Sequence, residues 1–313
     1  MFHLFDKKEK PEGEDDGVIF IRKPKPNVCG GTTETLDTRA PKEISSEEMI
    51  LFDATSALNV PSLGEDERLG YLSAFAAPCG EGTFLLLETE IGFRRREGKD
   101  LRWALVRESV FPALVRLVNE CGLAAENGHH SSTAGLPENF GGSVHIRYAS
   151  GETVSFSDNQ APVLSADTAA RIADLFAGAM KGETVPLPDP ADLREIRFSE
   201  NREDGGYTRA ALTLNADGTG TNKKASRYDG PKVYESEKPV DAETVAAIRQ
   251  TVGETALLAW PGLPVSDYRP LSEKALTFTL KNGEEITVPG DRLLPDQIRD
   301  GFFRIELELA TKH

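Results

Sequence analysis

The chain has 313 residues, 39% of them hydrophobic and 28% charged, with 36 basic against 51 acidic side chains and a formal net charge of −15. That composition supplies an ordinary globular core and excludes a collagen-like or wholly disordered chain. The acidic balance repels phosphate backbones and anionic lipid at long range, so neither nucleic acid nor a membrane is an expected partner.

The first residues, Met1 to Lys10, hold no apolar core and no small-residue cleavage site, so no secretory signal is read there. Residues 1–43 read as a mostly flexible N-terminal arm: Lys7 to Gly17 is charged and turn-prone, Val18 to Ile21 fits one short strand, and Lys23-Pro24-Lys25-Pro26 returns to loop chemistry. The longest strongly apolar run, Phe84 to Leu87, falls far short of the roughly 20 residues that span a bilayer. Cys29, Cys79 and Cys121 are odd in number with no C-x-x-C spacing, which fits a reducing, cytoplasmic compartment and no disulfide framework.

Beyond the arm the chain reads as a duplication. Residues 70–83, GYLSAFAAPCGEGT, align with 206–219, GYTRAALTLNADGT, at an offset of 136. Ile50-x-Phe52 is matched with Ile196-x-Phe198, and Gly151-Glu152 with Gly283-Glu284 at an offset of 132. Repeat A spans about 44–182 and repeat B about 192–313, joined by a Pro-rich linker over 183–191.

Within each repeat four strands come first. Residues 101–107 could open a helix, but their partner segment 232–238 is followed by Pro239, which suits a strand better than a helix interior. A helix follows, capped at Ser109 in repeat A and at Asp241 in repeat B. Phe111, Leu114, Val115, Val118 and Cys121 form its stripe in the first copy, and Val245, Ile248 and Val252 in the second. A hairpin is next, turning at Ser150-Gly151 and at Asn282-Gly283 between alternating strands. Each copy closes with a helix, begun by Ser165 in repeat A and by Pro295 in repeat B. The expected fold class is α+β: two tandem units in ββββαββα order, each an antiparallel sheet with two helices, related by a pseudo-two-fold.

Trp260-Pro261-Gly262-Leu263-Pro264, an alternating strand, Asn282-Gly283 and a closing helix after Pro295 resemble a pattern in uncharacterised bacterial α+β proteins. The likeness covers about 245–310 and, more weakly, 115–180; repeat A has no Trp at the matching place. The resemblance implies an α+β unit and no chemistry.

No G-x-S-x-G, H-E-x-x-H, phosphate-loop or EF-hand pattern is present. Gly80-Glu81-Gly82 and Gly141-Gly142 fit turns where Gly supplies positive φ. Arg94-Arg95-Arg96 and Lys223-Lys224 read as solvated hairpin ends, and Asp158, Asp267 and Asp291 as turn residues. His129 and His130 lie in a stretch read as a polar insertion loop, 126–142, with His145 on the strand after it. With Asp158 or Glu138 these imidazoles form a candidate zinc set, although adjacent rings point apart. Trp260 and Tyr268 are candidate groove-lining aromatics, against the commoner core role of large rings. The reading is therefore a cytoplasmic, non-enzymatic protein without a cofactor. It binds a protein or peptide through the inter-repeat groove or exposed strand edges, with the insertion loop as a second candidate. The alternative is a metal-dependent or hydrolytic enzyme centred on His129, His130 and His145. The loop reading further predicts that deleting 128–134 leaves folding nearly intact.

Overall fold

The computed structural model of the protein describes residues 17–23, 31–58, 69–91, 100–135, 140–228, 230–259, 272–290 and 296–311. The described residues form a mixed α+β structure with two sheets, four α-helices and mostly antiparallel strands. The first part contributes β1 (Val18–Lys23), β2 (Thr32–Asp37), β3 (Met49–Ala57), β4 (Leu69–Cys79), β5 (Gly82–Ile91), β6 (Asp100–Val106), α1 (Phe111–Glu120), β7 (His129–Thr133), β8 (Gly142–Tyr148), β9 (Thr153–Asp158) and α2 (Ala166–Ala179). The second part contributes β10 (Leu193–Arg202), β11 (Tyr207–Leu214), β12 (Gly220–Arg227), β13 (Val233–Val240), α3 (Ala242–Glu254), β14 (Ser272–Leu280), β15 (Glu285–Pro289) and α4 (Asp296–Glu306), which runs on into a π-helical turn at Leu307–Thr311. The strand orders are β1-β2-β7-β9-β8-β3-β4-β5-β6 and β13-β12-β11-β10-β14-β15. Among the described residues no helix is long and apolar enough to cross a membrane.

The first sheet is buried on both faces where β5 runs. Leu85 and Leu87 point to the helix side, packing with Phe52, Ile146, Leu114 and Phe176; the Phe52 and Phe176 rings stand 6.1 Å apart. Phe84 and Leu86 point the other way and join Phe75 and Leu105 in one buried cluster with the core of the second sheet, including Ile196, Phe198 and Leu257. An apolar run without alternation is what a strand buried on both faces requires. In the second sheet α3 and α4 cover one face through Val245, Ile248, Ile298 and Phe302. β13 is exposed almost throughout, and its Pro239 fits an edge strand, where a missing N–H breaks no ladder.

Two helix caps match the sequence expectation: Asp241 Oδ1 accepts the Thr244 N–H at 2.8 Å, and Ser165 Oγ accepts the Thr168 N–H at 3.0 Å. The third differs. α1 starts at Phe111 with Val110 at the cap and no side-chain cap bond, while Ser109 Oγ lies 3.4 Å from the Phe111 N–H. Pro112 sits in the first turn, where its missing N–H costs nothing. Gly141 and Gly142 also serve another purpose than the expected turn. Neither has a positive φ; a Cβ on Gly142 would stand 2.0 Å from the Thr55 carbonyl oxygen, so these glycines permit close strand approach.

The largest departure concerns the N-terminal arm and the supposed insertion loop. β1 pairs with β2, β2 with β7, and β7 runs parallel to β9. The stretch read as a polar loop is therefore a strand from His129 to Thr133, and the arm contributes two strands instead of one. Hydrogen bonds made by polar side chains, mostly to backbone groups, hold this extension. Thr32 and Thr133 hydroxyls meet at 2.9 Å. Asn127, only 2% exposed, donates to the Pro41 and Thr153 carbonyls and accepts the Ser155 N–H. Asn159 exchanges two bonds with the Thr133 backbone. Deleting 128–134 would thus remove the strand that ties β2 to the sheet, so that stretch is not the free loop on which the expectation of intact folding rests.

The Pro-rich linker is also tied at its start. Val185 N–H donates to the Leu105 carbonyl and Arg107 N–H to the Glu183 carbonyl, a short antiparallel bridge on the edge of β6.

Candidate functional site

The three histidines do not converge. His129 and His130 are consecutive on β7 and point to opposite faces. His130 Nδ1 lies 2.9 Å from Ser157 Oγ on β9, and His145 on β8 has Asp53 and Ser155 as its cross-strand neighbours. Strand β9 stands between β7 and β8, which sets their backbones roughly 10 Å apart. Burial, and then the neighbouring His129, hold the His130 imidazole below its ordinary pKa. His129 Nδ1 is 3.9 Å from a Glu126 carboxylate oxygen. Asp158, considered as a further ligand, uses Oδ1 to accept the Gln160 and Ala161 N–H groups. Among the described residues no group of three or more His, Cys, Asp or Glu could hold a metal. Trp260, Tyr268, Glu138, Cys29, Asp267, Asp291 and Arg94-Arg95-Arg96 lie outside the described residues.

Two concave surfaces stand out instead. A cleft of about 830 Å³ lies between the first sheet, the linker and the β14–β15 end of the second sheet. Leu105, Val185, Leu187, Leu258 and Ile286 give it apolar walls, and Glu81, Asp192 and Lys281 a charged rim. Cys79 lines it too; its thiol donates to the Ala259 carbonyl at 3.1 Å, and burial pushes its pKa up, so this is no activated nucleophile.

The second surface is the face of the second sheet turned away from α3 and α4. Here a trough of about 610 Å³ runs across β10 to β13 between two cross-strand rows. One row is Arg197, Ala211, Lys223 and Glu237; the other is Ser199, Arg209, Ala225 and Glu235. Small side chains form the floor, cations line β10 to β12, and carboxylates close the β13 end. The signal was present in the sequence as strands whose outward positions are charged or small. It reads as a solvated face until the strand register sets the rows side by side.

No family model matches the chain, and no curated protein matches it either.

Proposed function

We propose that the protein is a non-enzymatic, cytoplasmic interaction protein built from two copies of one ββββαββα unit. It takes an extended peptide segment of a partner protein in the cleft between the copies. The duplication is supported by the shared order β9-β8-β3-β4-β5-β6 and β15-β14-β10-β11-β12-β13, with helices at the same two places. On that basis Phe52, which pairs with Ala76 and Ile146, corresponds to Ile196, which pairs with Leu212 and Phe278. The sequence matching of Ile50 and Phe52 with Ile196 and Phe198 runs two residues out. β1, β2 and β7 are additions to the first copy.

The observation that carries the binding reading is the cleft itself, lined from both copies and the linker, with apolar walls and a mainly acidic rim in which Lys281 stands among Glu81, Asp192, Glu284 and Glu285. That lining suits a segment with apolar anchors and polar flanks. The separation of the three imidazoles gives the rival metal-dependent or hydrolytic reading no support. The test is fluorescence anisotropy with a labelled library of extended peptides carrying alternating apolar residues. Peptides should bind the native chain and lose binding to Leu187→Arg. Undiminished binding by that variant, or no binders at all, overturns the proposal.

A further inference from the structure

The trough on the open face of the second sheet has a charge order that selects a ligand class. Tyr207, on β11, holds two guanidinium groups: Arg209 Cζ lies 5.1 Å and Arg227 Cζ 5.2 Å from its ring centroid. Arg227 also donates to the Gly205 carbonyl, which fixes it further. Among the described residues neither guanidinium has a carboxylate within ion-pair distance. Arg197, by contrast, is paired with Glu285, and Lys223 with Glu237. A guanidinium held against a ring presents its N–H edges to an incoming anion with little rotamer freedom left to lose.

Opposite this pair stands Glu235 on the edge strand β13, in the same cross-strand row as Arg209 with only the Ala225 methyl between them. Glu235 likewise has no ion-pair partner among the described residues. β11 and β13 are two strand spacings apart, roughly 10 Å. Arg209 is held toward Tyr207, so the two opposite charges face each other across a small-residue floor without meeting. A polyanion would bring repulsive charge against Glu235 and Glu237. A simple cation would meet Arg197, Arg209 and Lys223. The arrangement favours a ligand with its own separated charges and a short apolar body to lie over Ala211 and Ala225.

We infer that this trough is a binding site for a short zwitterionic peptide of dipeptide size, its carboxylate on Arg209, with Arg227 one cross-strand row beyond the lining, and its ammonium on Glu235. The inference deepens the reading of the chain as a binding protein but uses a surface separate from the cleft.

The test is calorimetric titration of the full chain with the dipeptide Ala-Leu, its N-acetyl form and its C-terminal amide. Ala-Leu should bind, and each blocked form should bind about 1.5- to fivefold more weakly, the range for exposed charge pairs. Arg209→Gln should weaken Ala-Leu by a similar factor and leave the amide unaffected. Glu235→Gln should do the same for Ala-Leu and leave the N-acetyl form unaffected. Ala225→Leu, which fills the floor, should abolish binding with an unchanged circular dichroism spectrum. Equal binding of Ala-Leu and its N-acetyl form, indifference to Glu235→Gln, or no saturable binding overturns the inference. Loss of Ala-Leu binding in Leu187→Arg with retention in Ala225→Leu would move the ligand to the cleft. That result overturns the trough assignment while sparing the binding-protein reading.

Discussion

On the face turned away from the helices, the first sheet carries Phe75, Leu86 and Trp103 in one cross-strand row, and the second carries Ala211, Lys223 and Glu237 along the same three strands of the shared order. In the first sheet that row is core. Phe75 and Leu86 are 1% and 2% exposed, and the Phe84 ring lies between Phe75 and Trp103 at 6.2 and 6.4 Å. In the second it is the floor and wall of an open trough. Each buried large side chain stabilises by about 1.5–3 kcal/mol relative to exposure, so the second sheet forgoes that gain along one whole face. One strand arrangement thus serves as packing in one half and as a surface in the other, and side-chain size at a few register positions decides which.

The comparison breaks most readily in the first half. Phe84→Ala removes a side chain with no exposure and should destabilise by about 3–5 kcal/mol. Urea unfolding should report this as a lowered midpoint. Ala225→Leu, on the opposite sheet's open face, should stay within about 0.5 kcal/mol of the native chain. Equal costs for the two would mean that the faces are equally packed. Next in size is Asn127→Ala. It strands one buried N–H and two carbonyls and should cost about 1–3 kcal/mol. Hydrogen exchange should then rise in β7 and β9 before it rises in the second sheet. Ser165→Ala should cost about 1 kcal/mol through the lost helix cap. Ser109→Ala should cost much less, because Val110 holds the cap position of α1.

The smallest expected effect is a pH dependence confined to the first half. The folded pKa of His130 lies below the ordinary 6.5, so the unfolded chain takes up the proton first as pH falls. Its contribution is fully present above the unfolded value and is lost progressively as pH drops toward the folded one. Stability measured between about pH 8 and about pH 5 should fall less in His130→Gln than in the native chain. An identical profile in the two would remove His130 from the acid response.

The sequence made the apolar architecture legible. Strand alternation, the turns at Ser150-Gly151 and Asn282-Gly283, and the Ser165 and Asp241 caps all reappear, because each is a local rule that tertiary packing reinforced. β6 is legible as a strand through its partner segment β13, where Pro239 suits a strand better than a helix interior. β2 and β7 were hidden for a physical reason. Their Thr, Ser and His side chains are polar, the Thr32 and Thr133 hydroxyls meeting each other and His130 meeting Ser157, while Asn159 bonds the Thr133 backbone, so they leave no hydrophobic period to read. The trough was hidden too. Arg209 and Glu235 are ordinary exposed strand residues until two strand pairings, set by turns 20 residues apart in sequence or less, bring them into one row.

The tie between β2 and β7 has a consequence for the chain as it is made. Thr32 and Thr133 meet across 101 residues of sequence. At ribosomal rates of roughly 5–20 residues per second, β2 is synthesised roughly 5–20 s ahead of the strand that receives it. β7 in turn lies beside β9, which is made later still. During that interval β3, β4 and β5, which follow one another in sequence, can already pair among themselves, while the β1–β2 ribbon has one edge without its native neighbour. Two strands made ahead of β3, β4 and β5 are therefore among the last to reach their place in the first sheet, and a stall before residue 133 would leave a sheet edge open to another chain.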